Sequence, residues 1–201
     1  MLCPLTLERE SWSPRDDKER SVHIPLSERP DGDLVRDWCA GQPEALRILV
    51  DRHRSAAFGL ALRLCGDRDR AEDLVQDAFL RALGRIRQFD TRLPFRPWLY
   101  RILGHLYIDD LRKRRELFSE EAVEPPPREE HPEEGLLLDA VLACLPVPQR
   151  AILLLQEMGG LSYEELAQLF GIPLGTVRSR LAHARLAFKE AYRRLTQEVA
   201  R

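Results

Sequence analysis

The chain is poor in the residue groupings that bind metals or perform chemistry. Its four cysteines, Cys3, Cys39, Cys65 and Cys144, are scattered through 201 residues with no C-x-x-C pair. That scatter argues against a metal site or a disulfide framework and fits a reducing cytoplasm. Cys39, Cys65 and Cys144 read as buried thiols, the usual place of free cysteine, and Cys3 lies in a polar tail. No apolar run approaches the length needed to span a bilayer, so no membrane insertion is expected. The first 30 residues mix Asp and Glu with their basic residues and have no long apolar core, unlike a signal peptide. There is no strand-period alternation and no internal repeat. A Gly-rich phosphate loop is missing too, as is any convergence of Ser or Cys with a base. Asp109-Asp110 and nearby His105 sit in a basic helical stretch with nothing to act upon. The expectation is a protein that is not an enzyme, with no cofactor and no metal.

Net charge is also small, −2, although 32% of residues are charged. A near-neutral total argues against a generic polyanion binder, but it conceals segregation. Arg112-Lys-Arg-Arg115 and the C-terminal stretch are basic, whereas glutamates crowd residues 116–134. Local basic surfaces therefore coexist with a neutral sum.

The most informative stretch runs from Leu161 to Arg185. Ser162 with Glu165 three residues on forms a capping-box signature. Leu166, Ala167, Leu169 and Phe170 recur at helical spacing. Gly171 suits a left-handed helix end, and Pro173 the start of the next helix. Val177, Leu181, Ala184 and Phe188 then make an inner face and leave Arg178, Ser179, Arg180, His183 and Arg185 on or near the outer one. This order of cap, turn and basic front is that of a helix-turn-helix whose second helix enters a DNA major groove.

The rest of the chain reads as helical, giving an all-α fold of two small domains on a flexible tether. Residues 1–30 form a polar extension with Pro4, Pro14, Pro25 and Pro30, expected to be disordered or loosely draped. Residues 31–115 are the first domain, with breaks at Gly41-Gln-Pro43, Gly66-Asp67 and Gln88 to Pro94. Residues 116–134, with Pro125-Pro-Pro127, form an acidic, self-repelling linker. Residues 135–201 carry the helix-turn-helix.

Two surfaces of the first domain stand out. Asp73, Gln76 and Asp77 share one ridge of a predicted helix. Spacing alone makes that ridge an ordinary wet face, with docking to a basic partner as the alternative. Phe95 to Arg115 interleaves aromatics with cations and ends in a basic cluster, a surface able to hold phosphates and unstacked bases. Trp98 on its own is better read as core than as a base-stacking platform.

At these residues the sequence resembles the extracytoplasmic-function (ECF) group of RNA polymerase sigma factors, within the sigma-70 family. The resemblance covers about residues 31 to 115 and 136 to 196. It rests on Ala71-Glu-Asp-Leu-Val-Gln-Asp-Ala-Phe-Leu80, Pro97-Trp-Leu-Tyr-Arg-Ile102, Asp109-Asp-Leu-Arg112, Leu161-Ser-Tyr-Glu-Glu165 and Gly175-Thr-Val-Arg-Ser-Arg180, in the family's order. It implies sigma domain 2 followed by a helix-turn-helix sigma domain 4. Asp73, Gln76 and Asp77 would dock on the β′ clamp helices of core RNA polymerase, and the second domain on the β flap. The loop from Gln88 to Phe95 would receive a flipped base of the minus-ten element, at an unstacking cost of a few kcal/mol. The implied minus-ten residues are Phe89, Asp90, Thr91, Arg92, Trp98, Arg101, His105, Arg112 and Arg114. Those for the minus-thirty-five element are Thr176, Arg178, Ser179, Arg180, His183 and Arg185. An arginine paired bidentately with guanine would contribute ~1–3 kcal/mol of discrimination. The family also implies an anti-sigma factor as regulator and a cytoplasmic location. One departure is His105, where the family usually has asparagine. It raises the idea of pH-sensitive promoter opening.

The competing reading is a stand-alone helix-turn-helix regulator whose first domain binds a ligand or dimerises. It would bind duplex DNA tightly by itself. A sigma factor would be selective only with core polymerase.

Overall fold

The computed structural model describes residues 25–117 and 136–199. The expected linker and most of the N-terminal extension lie outside them. Every regular element among the described residues is helical.

The first unit has four α-helices: α1 (Asp31–Cys39), α2 (Pro43–Cys65), α3 (Arg68–Arg85) and α4 (Phe95–Leu117). Local chemistry sets their limits. Asp31 and Asp33 occupy the first turn of α1, where carboxylates oppose the positive helix end. Pro43 opens α2, and Gly66 closes it at φ 68°, a left-handed conformation that costs glycine little. The Asp67 side chain then accepts a 2.8 Å bond from the Arg70 amide and caps α3. A 3₁₀ turn, Ile86–Gln88, ends that helix. α4 starts at Phe95, two residues before Pro97, so the proline sits in the first turn where no intrahelical N–H is lost.

α2 and α4 supply the centre of this unit. Leu60, Leu99, Tyr100 and Leu103 are fully buried, and the Tyr107 hydroxyl donates to the Leu64 carbonyl at 3.0 Å. Residues 25–30 lie against α2, where the Arg52 guanidinium donates to the carbonyls of Ser27 at 2.8 Å and Arg29 at 2.9 Å.

The second unit comprises α5 (Leu136–Ala143), α6 (Val147–Glu157), α7 (Tyr163–Phe170) and α8 (Leu174–Val199). The capping box forms in full: the Glu165 amide donates to Ser162 Oγ at 3.1 Å, and the Ser162 amide to Glu165 Oε2 at 2.8 Å. Gly171 ends α7 at φ 64°. Val177, Leu181 and Ala184 are buried against α6 and α7.

One expectation fails here. Cys39 and Cys144 are exposed, and only Cys65 of the three is buried. Cys39 is the last residue of α1 and Cys144 follows the end of α5, so neither lies on the inward stripe of its helix. The two units pack on each other. α6 packs on α2 and α7 packs on α4, and one apolar core runs through Leu99 and Leu103 of the first unit and Leu155 and Leu169 of the second.

Candidate nucleic-acid interface

α3 exposes Asp73, Gln76 and Asp77, but they face two different clefts. Gln76 borders a groove of about 670 Å³ between α2 and α3, floored by Phe58, Val75 and Phe79 and edged by Leu80. Asp73 and Asp77 border a smaller cleft between α3 and α4, of about 250 Å³, beside Arg70, Arg81 and Lys113. The exposed leucine, Leu80 at 59%, escaped the sequence reading. Its position four residues after Gln76 is the signal that could have found it, because i and i+4 share a helix face.

The loop between α3 and α4 is built rather than loose. Phe89 is 7% exposed. It meets Phe95 edge-on, centroids 5.5 Å apart, and tilts on Trp98 at 5.0 Å. Phe89 therefore fixes the loop from inside and offers no face to a base. Thr91 Oγ1 accepts a 2.8 Å bond from Arg36 of α1. The Thr91 carbonyl presses on Gly32, leaving no room there for a Cβ. Asp90 accepts from the Arg92 amide at 3.0 Å and from its guanidinium at 2.7 Å. These bonds hold the Asp90 carboxyl at about 2, below the usual carboxylate range. Arg92 is exposed and Asp90 and Thr91 are half-buried, so the turn presents its polar atoms outward.

Trp98 is half-buried. It lines a polar groove of about 440 Å³ with Arg81, Arg85, Arg101 and His105. The cations Arg81 and Arg85 come from α3 and were not singled out in the sequence. Burial lowers the His105 imidazole below its ordinary value, opposed by Asp109 and reinforced by Arg101, Arg85 and Arg112. Its neutral form is thus favoured, against the idea of a charge change at neutrality. Arg112 is exposed and Arg114 half-buried, one turn or more further along α4.

On α8, Thr176, Ser179, Arg180 and His183 share one face at i, i+3, i+4 and i+7. Ser179, Arg180 and His183 are exposed and Thr176 half-buried. The Ser179 hydroxyl donates to the Thr176 carbonyl at 3.1 Å. Arg178 is exposed on the other flank, about 200° from Thr176 at 100° per residue. Arg185 is turned away from that front. Its guanidinium donates to Glu157 Oε1 and Gln156 Oε1 of α6, both at 2.9 Å. The second unit also has an apolar cleft of about 300 Å³, lined by Leu138, Leu142, Leu153, Leu154, Met158 and Phe188.

Among the described residues no group of His, Cys, Asp and Glu is arranged to hold a metal ion, and no helix is long and apolar enough to cross a membrane.

Comparison with known proteins agrees with this geometry. Residues 49–116 match the family of sigma-70 region 2, and residues 135–188 that of sigma-70 region 4. The chain is 33% identical to the ECF RNA polymerase sigma factor SigE of Mycolicibacterium smegmatis, over 87% of this chain and 72% of that protein. It is 31% identical to the RNA polymerase sigma-H factor of Pseudomonas aeruginosa, over 86% of this chain and 99% of that one. Among solved structures, CnrH in complex with the cytosolic domain of CnrY matches with a TM-score of 0.56 and 26% identity, covering 80% of this chain and 95% of CnrH. The sigma factor RpoE of Bartonella quintana, in complex with the anti-sigma factor NepR, matches at 0.55 and 26%, over 74% and 96%. Two regions in the family's order, on a helical frame shared with such proteins, settle the assignment: the chain belongs to the sigma-70 family, among the ECF RNA polymerase sigma factors.

Proposed function

We propose that the chain docks on core RNA polymerase through α3, reads and opens the minus-ten element with the loop after α3 and with α4, and reads the minus-thirty-five element with the front of α8. The observation that carries this reading is the juxtaposition in the first unit. The acidic pair Asp73 and Asp77 lies on α3, and a groove of Trp98, Arg101 and His105 lies on the adjoining α4. A subunit that touches polymerase and the opened strand together needs both.

Within the loop, the outward Arg92 and the turn fixed by Asp90 are the groups offered to a flipped base. Phe89 supports them from beneath. On α8, Arg180, Ser179 and His183 make the central reading face, with Arg178 at its flank. A partner of the kind seen with CnrH and RpoE, an anti-sigma factor, has two apolar places to sit: the groove beside Leu80 and the cleft around Met158. The protein acts with polymerase in the cytoplasm and performs no chemistry of its own. The stand-alone regulator accounts for the second unit only and leaves the region 2 match without a role.

Reconstituted run-off transcription tests the reading. Core polymerase plus this chain should initiate from a small set of promoters drawn from a library. Failure of the chain to bind core polymerase would refute it.

A further inference from the structure

The loop between α3 and α4 is seated on a part of the chain that precedes the region 2 match at residues 49–116. Gly32 of α1 lies under the Thr91 carbonyl, and Arg36 bonds Thr91 Oγ1 at 2.8 Å. Asp31 ties this end of α1 to α2. Its carboxylate accepts from Arg52 Nη1 at 2.6 Å and lies 2.8 Å from His53 Nε2. Burial alone would discourage charge on Asp31, but the bonds from His53 and Arg52 outweigh it and hold the carboxyl below its ordinary value. An ionised carboxylate only accepts, so His53 Nε2 carries a hydrogen and donates it.

The same imidazole meets the far end of the loop. His53 is 7% exposed, and its ring tilts on Phe95 with centroids 5.1 Å apart. Phe95 is the first residue of α4. It packs in turn on Phe89 and Trp98, each at 5.5 Å. His53 therefore joins the two supports of the loop. Through Asp31 it holds the helix under Thr91, and through Phe95 it backs the aromatic group that pins Phe89. An aliphatic side chain could fill the same volume. It would leave the Asp31 carboxylate one donor short where desolvation already opposes its charge. The imidazole is too enclosed to meet DNA itself.

We infer that His53 is a positioning residue for minus-ten recognition: its bond to Asp31 and its packing on Phe95 set where the loop holds the exposed Arg92, and so how sharply one base is preferred over another. The inference rests on the sigma reading of this loop and adds to it a buried residue that never touches the promoter. The effect is geometric. One rigid ring fixes α1 against the start of α4, and the loop spans the space between them. Discrimination by a loop depends on its atoms standing in the right place, and a displacement of about 1 Å is enough to degrade it.

The test uses full-length proteins with core polymerase: wild type, His53→Leu, His53→Gln, Asp31→Asn and Leu64→Val. The glutamine amide can donate from about the place of Nε2, and Asp31→Asn keeps one acceptor for two donors. Leu64→Val is a core change about 16 Å away along α2 at 1.5 Å per residue. Each holoenzyme selects promoters from a library randomised at the minus-ten element, well below every melting temperature. Preference for the best base at the most discriminated position should fall roughly fivefold in His53→Leu and Asp31→Asn, as the net loss of one hydrogen bond would give. His53→Gln should stay near wild type. Leu64→Val should melt earlier yet keep the wild-type preference, and all five should bind polymerase alike. Amide exchange at residues 89–93 of the free proteins reads the loop without DNA and should quicken more in His53→Leu and Asp31→Asn than in Leu64→Val. Should His53→Leu not fold, Asp31→Asn carries the test. Unchanged preference in the folded variants would overturn the inference. So would an equal loss in Leu64→Val, which would make His53 ordinary core. If wild type itself shows no minus-ten preference, the sigma reading of the loop fails instead, and exchange alone decides whether His53 holds it.

Discussion

Arg101 and Glu165, 64 residues apart in the chain, meet at 3.3 Å, and the same carboxylate accepts the Ser162 amide at 2.8 Å. One side chain thus starts the helix-turn-helix and ties it to the first unit.

The two tasks of Glu165 separate by substitution. Glu165→Gln keeps an acceptor for the Ser162 amide and loses the charge that holds Arg101. Both side chains are more than a third exposed, 45% for Arg101 and 34% for Glu165, so the loss should be under about 1 kcal/mol. Ser162→Ala removes the cap to the Glu165 amide and should cost about 1 kcal/mol. Urea unfolding of the two full-length variants gives the comparison. A larger loss for Glu165→Gln would mean that the bridge, not the cap, carries the stability.

The floor of the loop between α3 and α4 gives a second prediction. Gly32 lies under the Thr91 carbonyl with no space for a Cβ. Gly32→Ala should force the loop off α1 and cost about 1–3 kcal/mol, as overpacking does. Loss of the Arg36–Thr91 bond should follow. The expected phenotype is weaker promoter opening with polymerase binding retained, because α3 is untouched. Equal stability and equal opening would show that the loop does not depend on this contact.

Some of this was legible in the sequence and some was not. Ser162, Glu165, Gly171 and Pro173 act within a few residues of themselves, so their pattern defined the helix-turn-helix. The Asp67 cap and the break at Gly66 were readable for the same reason. Phe89 was not, because an aromatic next to Asp90 in a loop has no local signature for burial. Only the packing of Phe95 and Trp98 reveals it. Leu169 lies on the apolar stripe read from the sequence, yet nothing in a helical stripe says that part of that core belongs to the other unit. Gly104 has no local signature at all, and only the packing shows α4 approaching Leu155 and Leu169 closely there.

Polymerase docking yields a charge-reversal prediction. Asp73→Arg with Asp77→Arg changes two exposed carboxylates on one side of α3. Helical content should be unchanged and affinity for core polymerase should fall at least tenfold, measured by co-elution or fluorescence titration. Retained affinity would move the docking surface to the Leu80 groove, which Leu80→Glu would then report.

His105 is the titratable imidazole in the groove of Trp98 and Arg101. Burial, aided by nearby arginines, depresses its pKa below 6.5. The sign follows from the reference state. The unfolded chain takes up a proton at His105 more readily than the folded one, so this residue favours folding less as pH falls below 6.5. Above it the imidazole is neutral in both states and the contribution is flat. An NMR titration of the free protein should find a midpoint below 6.5. Promoter opening by the wild type and by His105→Asn should have parallel profiles from pH 7 to 8. A step confined to the wild type in that range would restore the idea of a proton switch at neutrality.

The arginines of α8 separate contact with DNA from contact with the fold. Arg180 is exposed on the face of Ser179 and His183, whereas Arg185 bonds Gln156 and Glu157 of α6. Arg180→Ala should lower minus-thirty-five discrimination, by ~1–3 kcal/mol if the contact is a bidentate pair with guanine, and leave thermal stability near wild type. Arg185→Ala should do the reverse. It frees Glu157 and Gln156 and slackens α8 on α6, with a stability loss below about 1 kcal/mol for so exposed a pair, while base preference stays the same. Selection of promoters from a randomised minus-thirty-five library with each variant holoenzyme reads the specificity, and thermal melting reads the fold. If Arg185→Ala relaxed base preference as much as Arg180→Ala, the side chain would have to leave α6 on binding DNA.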